Sequence, residues 1–243
     1  MSSIDPVDAA AALAEPSRRG MFEFIRRQRR PVTRDQAAAS VGISRKLAAF
    51  HLDKLVEAGL LTARYASPDA VRKPGRTPKV YEPAGSGVWV SIPRRDHRVL
   101  ADTLVDAVLT QHPDEQVGEA AARVARARGE RLGAAERDSA RPGRLGAERA
   151  LALAAAILER DGYEPEPVAA TRVRLRNCPY DPLAAKAPDL VCGINHAYIS
   201  GLLSGLHAER ATAVLKPQAG ECCVELRPAA AHDAAAPELA AAD

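Results

Sequence analysis

Between Ala38 and Leu60 two helical segments meet at a three-residue turn, and few folds accommodate that layout. Thr33 and Gln36 have the T-x-x-Q spacing of a capping box, so a helix starts at Thr33 and ends near Ser40. Val41-Gly42-Ile43 forms a tight turn, Ser44 caps a further helix running to about Ala58, and Gly59 stops it. Helical spacing turns Ile43, Ala48, Leu52, Leu55 and Leu60 inward and Arg45, Lys46, Ala49 and Phe50 outward. Upstream, residues 7–28 read as helical, with Leu13, Met21, Phe22 and Ile25 on one side and Arg18, Arg19, Arg26 and Arg27 outside. Pro16 falls inside that run, which predicts two short helices joined by a bend. Downstream, Leu60–Tyr65 and Val80–Pro83 read as strands flanking a loop rich in Pro, Gly and basic residues.

Charge follows the same division. Residues 1–95 carry 17 basic and 9 acidic side chains, net +8, whereas the remainder carries 17 basic and 22 acidic, net −5. A basic front half implies a polyanion-binding module. Helix, tight glycine turn, helix and basic hairpin together resemble a winged helix-turn-helix, and residues 38–60 resemble that element in bacterial repressors of the arsenic-repressor-like superfamily. The resemblance implies double-stranded DNA as partner, with the helix after Ser44 in the major groove. Arg45 suits bidentate contact with guanine and Phe50 suits thymine methyls; Arg34, Lys46 and Lys54 are placed near phosphates, and Ser44 is a further DNA-binding candidate. In the wing, Arg72, Lys73, Arg76 and Lys79 put four positive charges on a loop stiffened by Pro74 and Pro78. His51 is expected to be structural.

Beyond residue 95, Leu100, Leu104 and Val108 make an i, i+4, i+8 stripe, and 114–135 is a second helical run with Val117, Ala121 and Val124 on one side. Arg137–Gly146 reads as a linker, 147–161 as a helix, 168–176 as a strand and 189–206 as a helix. Residues 211–216 and 222–226 read as strands, and the Ala-rich 228–243 as a disordered tail. The expected fold is mainly α with small β elements, an α+β arrangement. It comprises a winged helix-turn-helix over 1–95, a helical dimerisation region over 96–146, and an α/β cysteine-containing sensor domain over 147–227. At 47% hydrophobic and 27% charged the composition is that of a globular chain. No apolar run approaches the roughly 18 residues of a spanning helix, and the first 20 residues lack a basic start followed by an apolar stretch. The expectation is therefore a cytoplasmic protein with no membrane partner.

All four cysteines, Cys178, Cys192, Cys222 and Cys223, lie in the last 70 residues. There is no C-x-x-C pair, and separations of 14 and 30 require three chain segments to converge. Read as the start of a strand, the doublet points its side chains to opposite faces, Cys222 with Val224 and Leu226 and Cys223 with Glu225. A buried site therefore favours Cys222 slightly. Thiolates are soft donors suited to iron–sulfur clusters, copper(I) or zinc. His196, four residues beyond Cys192, is the first candidate for a further ligand, and Asp181 the second.

The run RNCPY, LVCGINHAY, GLLSGL and GECCVEL behind a winged helix resembles the SufR-like transcriptional repressors of iron–sulfur assembly genes. This resemblance implies a homodimer holding an iron–sulfur cluster, usually [4Fe-4S], through Cys178, Cys192 and one of Cys222 or Cys223. The helices over 96–135 are the expected dimer surface, and the operator a palindrome with half-sites about one DNA turn or a multiple apart. The alternatives are a winged-helix regulator responding to zinc or a small organic effector, and an enzyme with Cys178 or Cys192 as nucleophile assisted by His196. No nucleophile motif or phosphate loop supports the enzyme, so a non-enzymatic regulator is expected.

Overall fold

Pro16 cannot stand inside a helix without clashing with the preceding turn, and the chain places it at the first position of one. The computed structural model describes residues 6–66, 78–85, 87–169, 171–218 and 220–229. These fall in two compact units, Met1–Val90 and Ser91–Asp243.

In the first unit, helix α1 (Pro6–Ala12) ends before Glu15, which caps α2 (Pro16–Gln28) by accepting from the backbone N–H of Ser17 at 3.0 Å and Arg18 at 2.6 Å. Helix α3 (Arg34–Val41) begins with the expected capping box: Gln36 N–H donates to Thr33 Oγ1 at 3.3 Å, and Thr33 N–H donates to Gln36 Oε1 at 3.0 Å. Gly42, at φ +69°, supplies the left-handed residue that turns the chain into α4 (Arg45–Glu57). Strand β1 (Val32–Thr33), for which the sequence carries no signal, joins β2 (Leu61–Tyr65) and β3 (Lys79–Pro83) in an antiparallel sheet of order β1-β3-β2. The core packs Ala48, Leu52 and Leu55 of α4 against Met21 and Ile25 of α2, with Leu61 and Tyr81 from the sheet.

The second unit begins with α5 (His97–Leu109), capped by Asp96, whose Oδ1 accepts from Val99 N–H at 3.1 Å. There follow α6 (Val117–Ala140), α7 (Ala147–Arg160), β4 (Pro165–Ala169), β5 (Arg172–Leu175), α8 (Leu183–Lys186), α9 (Pro188–Gly205), β6 (Ala211–Leu215) and β7 (Val224–Pro228). The strands form an antiparallel sheet of order β4-β5-β7-β6. Val173, Leu175, Val224 and Leu226 join Leu151, Ile157 and Leu202 in one core.

Helices α6 and α9 touch main chain to main chain. A Cβ added at Gly129 would meet Tyr198 O at 2.0 Å and one at Gly133 would meet Leu202 O at 2.3 Å. Reciprocally, Cβ atoms at Gly201 and Gly205 would each stand 2.1 Å from a carbonyl of α6, that of Arg126 or Glu130. Glycines four apart share a helix face, so each helix presents one bare stripe to the other.

The structure corrects several expectations. The linker expected over 137–146 is shorter, because α6 continues through Arg137 to Ala140 and only 141–146 lie between helices. The strand expected over 168–176 is the hairpin β4–β5, its first arm obscured by Pro165 and Pro167, which an edge strand tolerates. The last strand starts at Val224 and includes Pro228, while 230–243, expected to be tail, lies outside the described residues. The helices after 96 and the cysteine-bearing segments share one unit. The chain divides after Val90 because Arg94 O accepts from Asn177 Nδ2 at 2.9 Å and Asp96 N–H donates to Pro179 O at 2.8 Å.

Candidate nucleic-acid interface and thiol cluster

On α4, Ser44 is the N-cap and its hydroxyl accepts from Leu47 N–H at 3.2 Å. Arg45 and Lys46 are exposed, and Arg45 Nε lies 2.9 Å from Asp35 Oδ1 in a solvent-facing pair. Lys54 Nζ pairs with Glu57 at 2.7 Å. Exposed pairs of this kind are worth about 0–1 kcal/mol, so a phosphate can displace the carboxylate. Phe50 is 54% exposed and Leu47 44%, which adds an apolar contact the sequence reading left out, while Ala49, expected to face outward, is half-buried.

Two residues expected at phosphates stand partly withdrawn from solvent. Arg34 is half-buried with a partnerless Nε, and Lys79 Nζ reaches Asp53 of α4 at 3.1 Å while lying 5.4 Å from the Tyr81 ring centroid. The Asp53 hydrogen bond raises the Lys79 pKa, so the cation is fixed as a strut between hairpin and helix. Arg72, Lys73 and Arg76 lie outside the described residues. His51 is buried, its ring edge against Phe50 and its Nδ1 3.6 Å from Glu15.

In the second unit the three cysteine-bearing segments converge. Cys178 follows β5, Cys192 lies in the first turns of α9, and Cys222 and Cys223 directly precede β7. The doublet is clamped by its backbone: Cys222 N–H donates to Leu175 O at 2.9 Å, and Lys216 N–H donates to Cys223 O at 2.7 Å. Both side chains are buried, 4% and 6% exposed, so strand alternation does not sort them. Nor does Glu225 face outward. It is 3% exposed, and although burial opposes ionisation, Arg227 at 2.5 Å, Lys216 and Arg172 hold its carboxyl below the usual range.

The thiols perturb one another, Cys222 with Cys178 and Cys223, and Cys223 with Cys192. The neighbouring sulfurs of Cys178 and Cys223, with burial adding, push the Cys222 thiol's pKa well up. Cys178 is lowered by Cys222, and Cys223 is lowered to about 6 by Cys222, with Cys192 and Asn195 adding to the effect. Burial pushes Cys192 up to about 12. Cys178, Cys192 and Cys223 line a cavity of about 310 Å³ whose wall includes Asp181, Arg95 and Arg176. Arg95 bonds Asn177 and pairs with Asp181 at 3.4 Å, and Arg176 bonds Glu166 and Glu221.

His196 is not brought to this cavity. Four residues along a helix leave a side chain about 40° around and about 6 Å beyond its reference, and its Nε2 stands 3.0 Å from Ala213 O of β6. The pairing of Cys178 or Cys192 with His196 that a nucleophilic enzyme would use is therefore not formed. Asn195, which sequence reasoning passed over, is fully buried beside the doublet. Tyr163 O–H donates to its Oδ1 at 2.7 Å, and its Nδ2 donates to Cys222 Sγ at 3.1 Å. The signal was there: an amide three residues after Cys192 on the same helical run.

Among the described residues no three or more His, Cys, Asp or Glu side chains stand around one point as ligands of a metal ion. The donor chemistry nonetheless fits a thiophilic group: soft sulfurs, two biased toward thiolate, at the wall of a partly open cavity. No described helix is long and apolar enough to cross a membrane. No curated protein matches the chain. Residues 13–64, covering α2, α3, α4 and nearly all of β2, match the family described as a helix-turn-helix domain, and the match supports a DNA-binding transcription regulator.

Proposed function

We propose that the protein is a homodimeric, SufR-like transcriptional repressor whose second unit holds an iron–sulfur cluster through cysteine thiolates. The observation that carries this reading is the convergence of Cys178, Cys192 and Cys223, from three separated segments, on one cavity beside the carboxylate of Asp181. When bound, the cluster supplies oxidant- and iron-dependent chemistry. The chain's own residues do the rest. The clamp at Leu175 O and Lys216 N–H fixes the doublet, and the first turns of α9 carry Cys192 toward it. Asp181, paired with Arg95, replaces His196 as the fourth-ligand candidate.

Association of two copies is supported by α5, which leaves Val105, Val108 and Leu109 56%, 63% and 76% exposed along one side. Two α4 helices then address a palindromic operator. The state of the site alters DNA affinity only insofar as it is bound differently in the DNA-competent and incompetent conformations.

Anaerobic purification tests the reading through the absorption spectrum with iron and acid-labile sulfide assays. A brown protein carrying matching iron and sulfide is expected, with operator affinity that changes on cluster loss. A colourless protein that stays iron-free after reconstitution overturns it, and zinc in that protein points to the zinc-responsive alternative.

A further inference from the structure

The vicinal cysteines are chemically identical in sequence and unequal in place. Cys223 lines the cavity with Cys178 and Cys192, whereas Cys222 does not reach its wall. Cys222 instead faces the interior, where Asn195 Nδ2 donates to its sulfur at 3.1 Å, against 3.9 Å to Cys223 Sγ. The orientation of that amide is not free. Tyr163, 1% exposed, donates its hydroxyl to Asn195 Oδ1 at 2.7 Å, which leaves only the NH₂ group to face the sulfurs. Asn195 is itself wholly buried, and with Tyr163 donating to its oxygen the NH₂ group is the one that meets the doublet.

We propose that the Tyr163–Asn195 bridge divides the doublet into two tasks: Cys223 is the cavity ligand alongside Cys178 and Cys192, and Cys222 is an inner thiol that supports it without ligating. This assignment rests on the cluster reading above. It reverses the preference for Cys222 drawn from strand alternation, because the doublet lies before β7, where the pleat does not set its faces. Outer partners of a ligand orient it and tune the bound group, and the amide N–H directed at the doublet is such a partner. Asn195 is thus a positioning residue.

The test loads the full-length protein anaerobically with ferrous and ferric iron and sulfide, and compares wild type with Cys178→Ser, Cys192→Ser, Cys222→Ser, Cys222→Ala, Cys223→Ser and Asn195→Asp. Iron, sulfide and the absorption near 400 nm are the readouts, with thermal melting as the check on folding. Both Cys222 variants are expected to load to the wild-type level, and Cys178→Ser, Cys192→Ser and Cys223→Ser to lose the iron while remaining folded. Asn195→Asp keeps the acceptor for Tyr163 and removes the N–H donor. It is expected to load, to show a shifted absorption band, and to yield iron to a chelator ~10–100-fold more readily. Loading by Cys223→Ser, or a folded Cys222→Ser or Cys222→Ala that fails to load, overturns the assignment and leaves the cluster reading intact. Asn195→Asp indistinguishable from wild type in spectrum and chelation overturns the role of the bridge. A wild type that takes up neither iron nor sulfide overturns the cluster reading itself, and the assignment with it.

Discussion

Gly201 and Arg126 meet where the two longest helices of the second unit cross, with the Arg126 carbonyl oxygen only 2.1 Å from where a Gly201 Cβ would stand. Backbone cannot yield as a flexible side chain can. Gly201→Ala is therefore expected to destabilise the second unit by about 3 kcal/mol, at the upper end of overpacking costs. Gly193→Ala on the same helix meets nothing within 4 Å and should gain ~0.5–1 kcal/mol from helix propensity. Chemical unfolding of the two variants side by side checks the pair. Equal midpoints would show that the helices are not in main-chain contact.

Arg45 and Lys46 are both exposed at the start of α4, and on the proposed reading the first contacts a base and the second a phosphate. On a duplex selected from a random pool by the full-length protein, Arg45→Ala should cost about 1–3 kcal/mol and relax preference at one base position. Lys46→Ala should instead weaken binding to all sequences alike and lower the salt dependence by about one counterion. Titrations at several salt concentrations separate the two; identical salt slopes and specificity profiles would contradict the assignment.

Glu115 grips Arg123 with both oxygens at 2.8 Å, while the other guanidinium contact, at 2.9 Å, goes to Thr110 O at the end of α5. The Arg123 hydrogen bonds lower the Glu115 pKa from its ordinary 4.5 to about 2. A carboxyl lowered by folding contributes stability above its unfolded value and loses it as pH falls through the folded one. The melting advantage of wild type over Glu115→Gln should thus hold above pH 4.5 and disappear toward pH 2, and shrink with added salt. A difference independent of pH would remove Arg123 as the cause.

Val108 and Leu109 on α5 are 63% and 76% exposed. Replacing both with Asp should leave the thermal transition of the chain nearly unchanged and convert a dimer to a monomer in sedimentation. A double variant that still sediments as a dimer would place the interface elsewhere.

What the sequence made legible is what is decided within a few residues. The Thr33–Gln36 box, the Ser44 cap and the Gly42 turn each rest on one or two local hydrogen bonds or one dihedral, and all stand where spacing placed them. What it concealed depends on partners far along the chain. The faces of Cys222 and Cys223 are set by Leu175 and Lys216, not by a pleat, and His196 is turned by a carbonyl on β6. Strand β4 was hidden because Pro165 and Pro167 read as breakers, which they are except at a sheet edge. The glycines of α6 and α9 read as weak points in each helix taken alone. Only the pair explains them.

That glycine contact also has a mechanical meaning. Side chains between helices act as a compliant layer, able to change rotamer and take up small displacements. At Gly129, Gly133, Gly201 and Gly205 this layer is missing, and carbonyls abut the opposing main chain. Cys192 and Asn195 ride on α9, and α6 carries Arg128 and Arg123, which hold α5 through Asp106 at 2.6 Å and Thr110. A crossing built this way has little slack, and a shift of α9 presses directly on the α6 backbone.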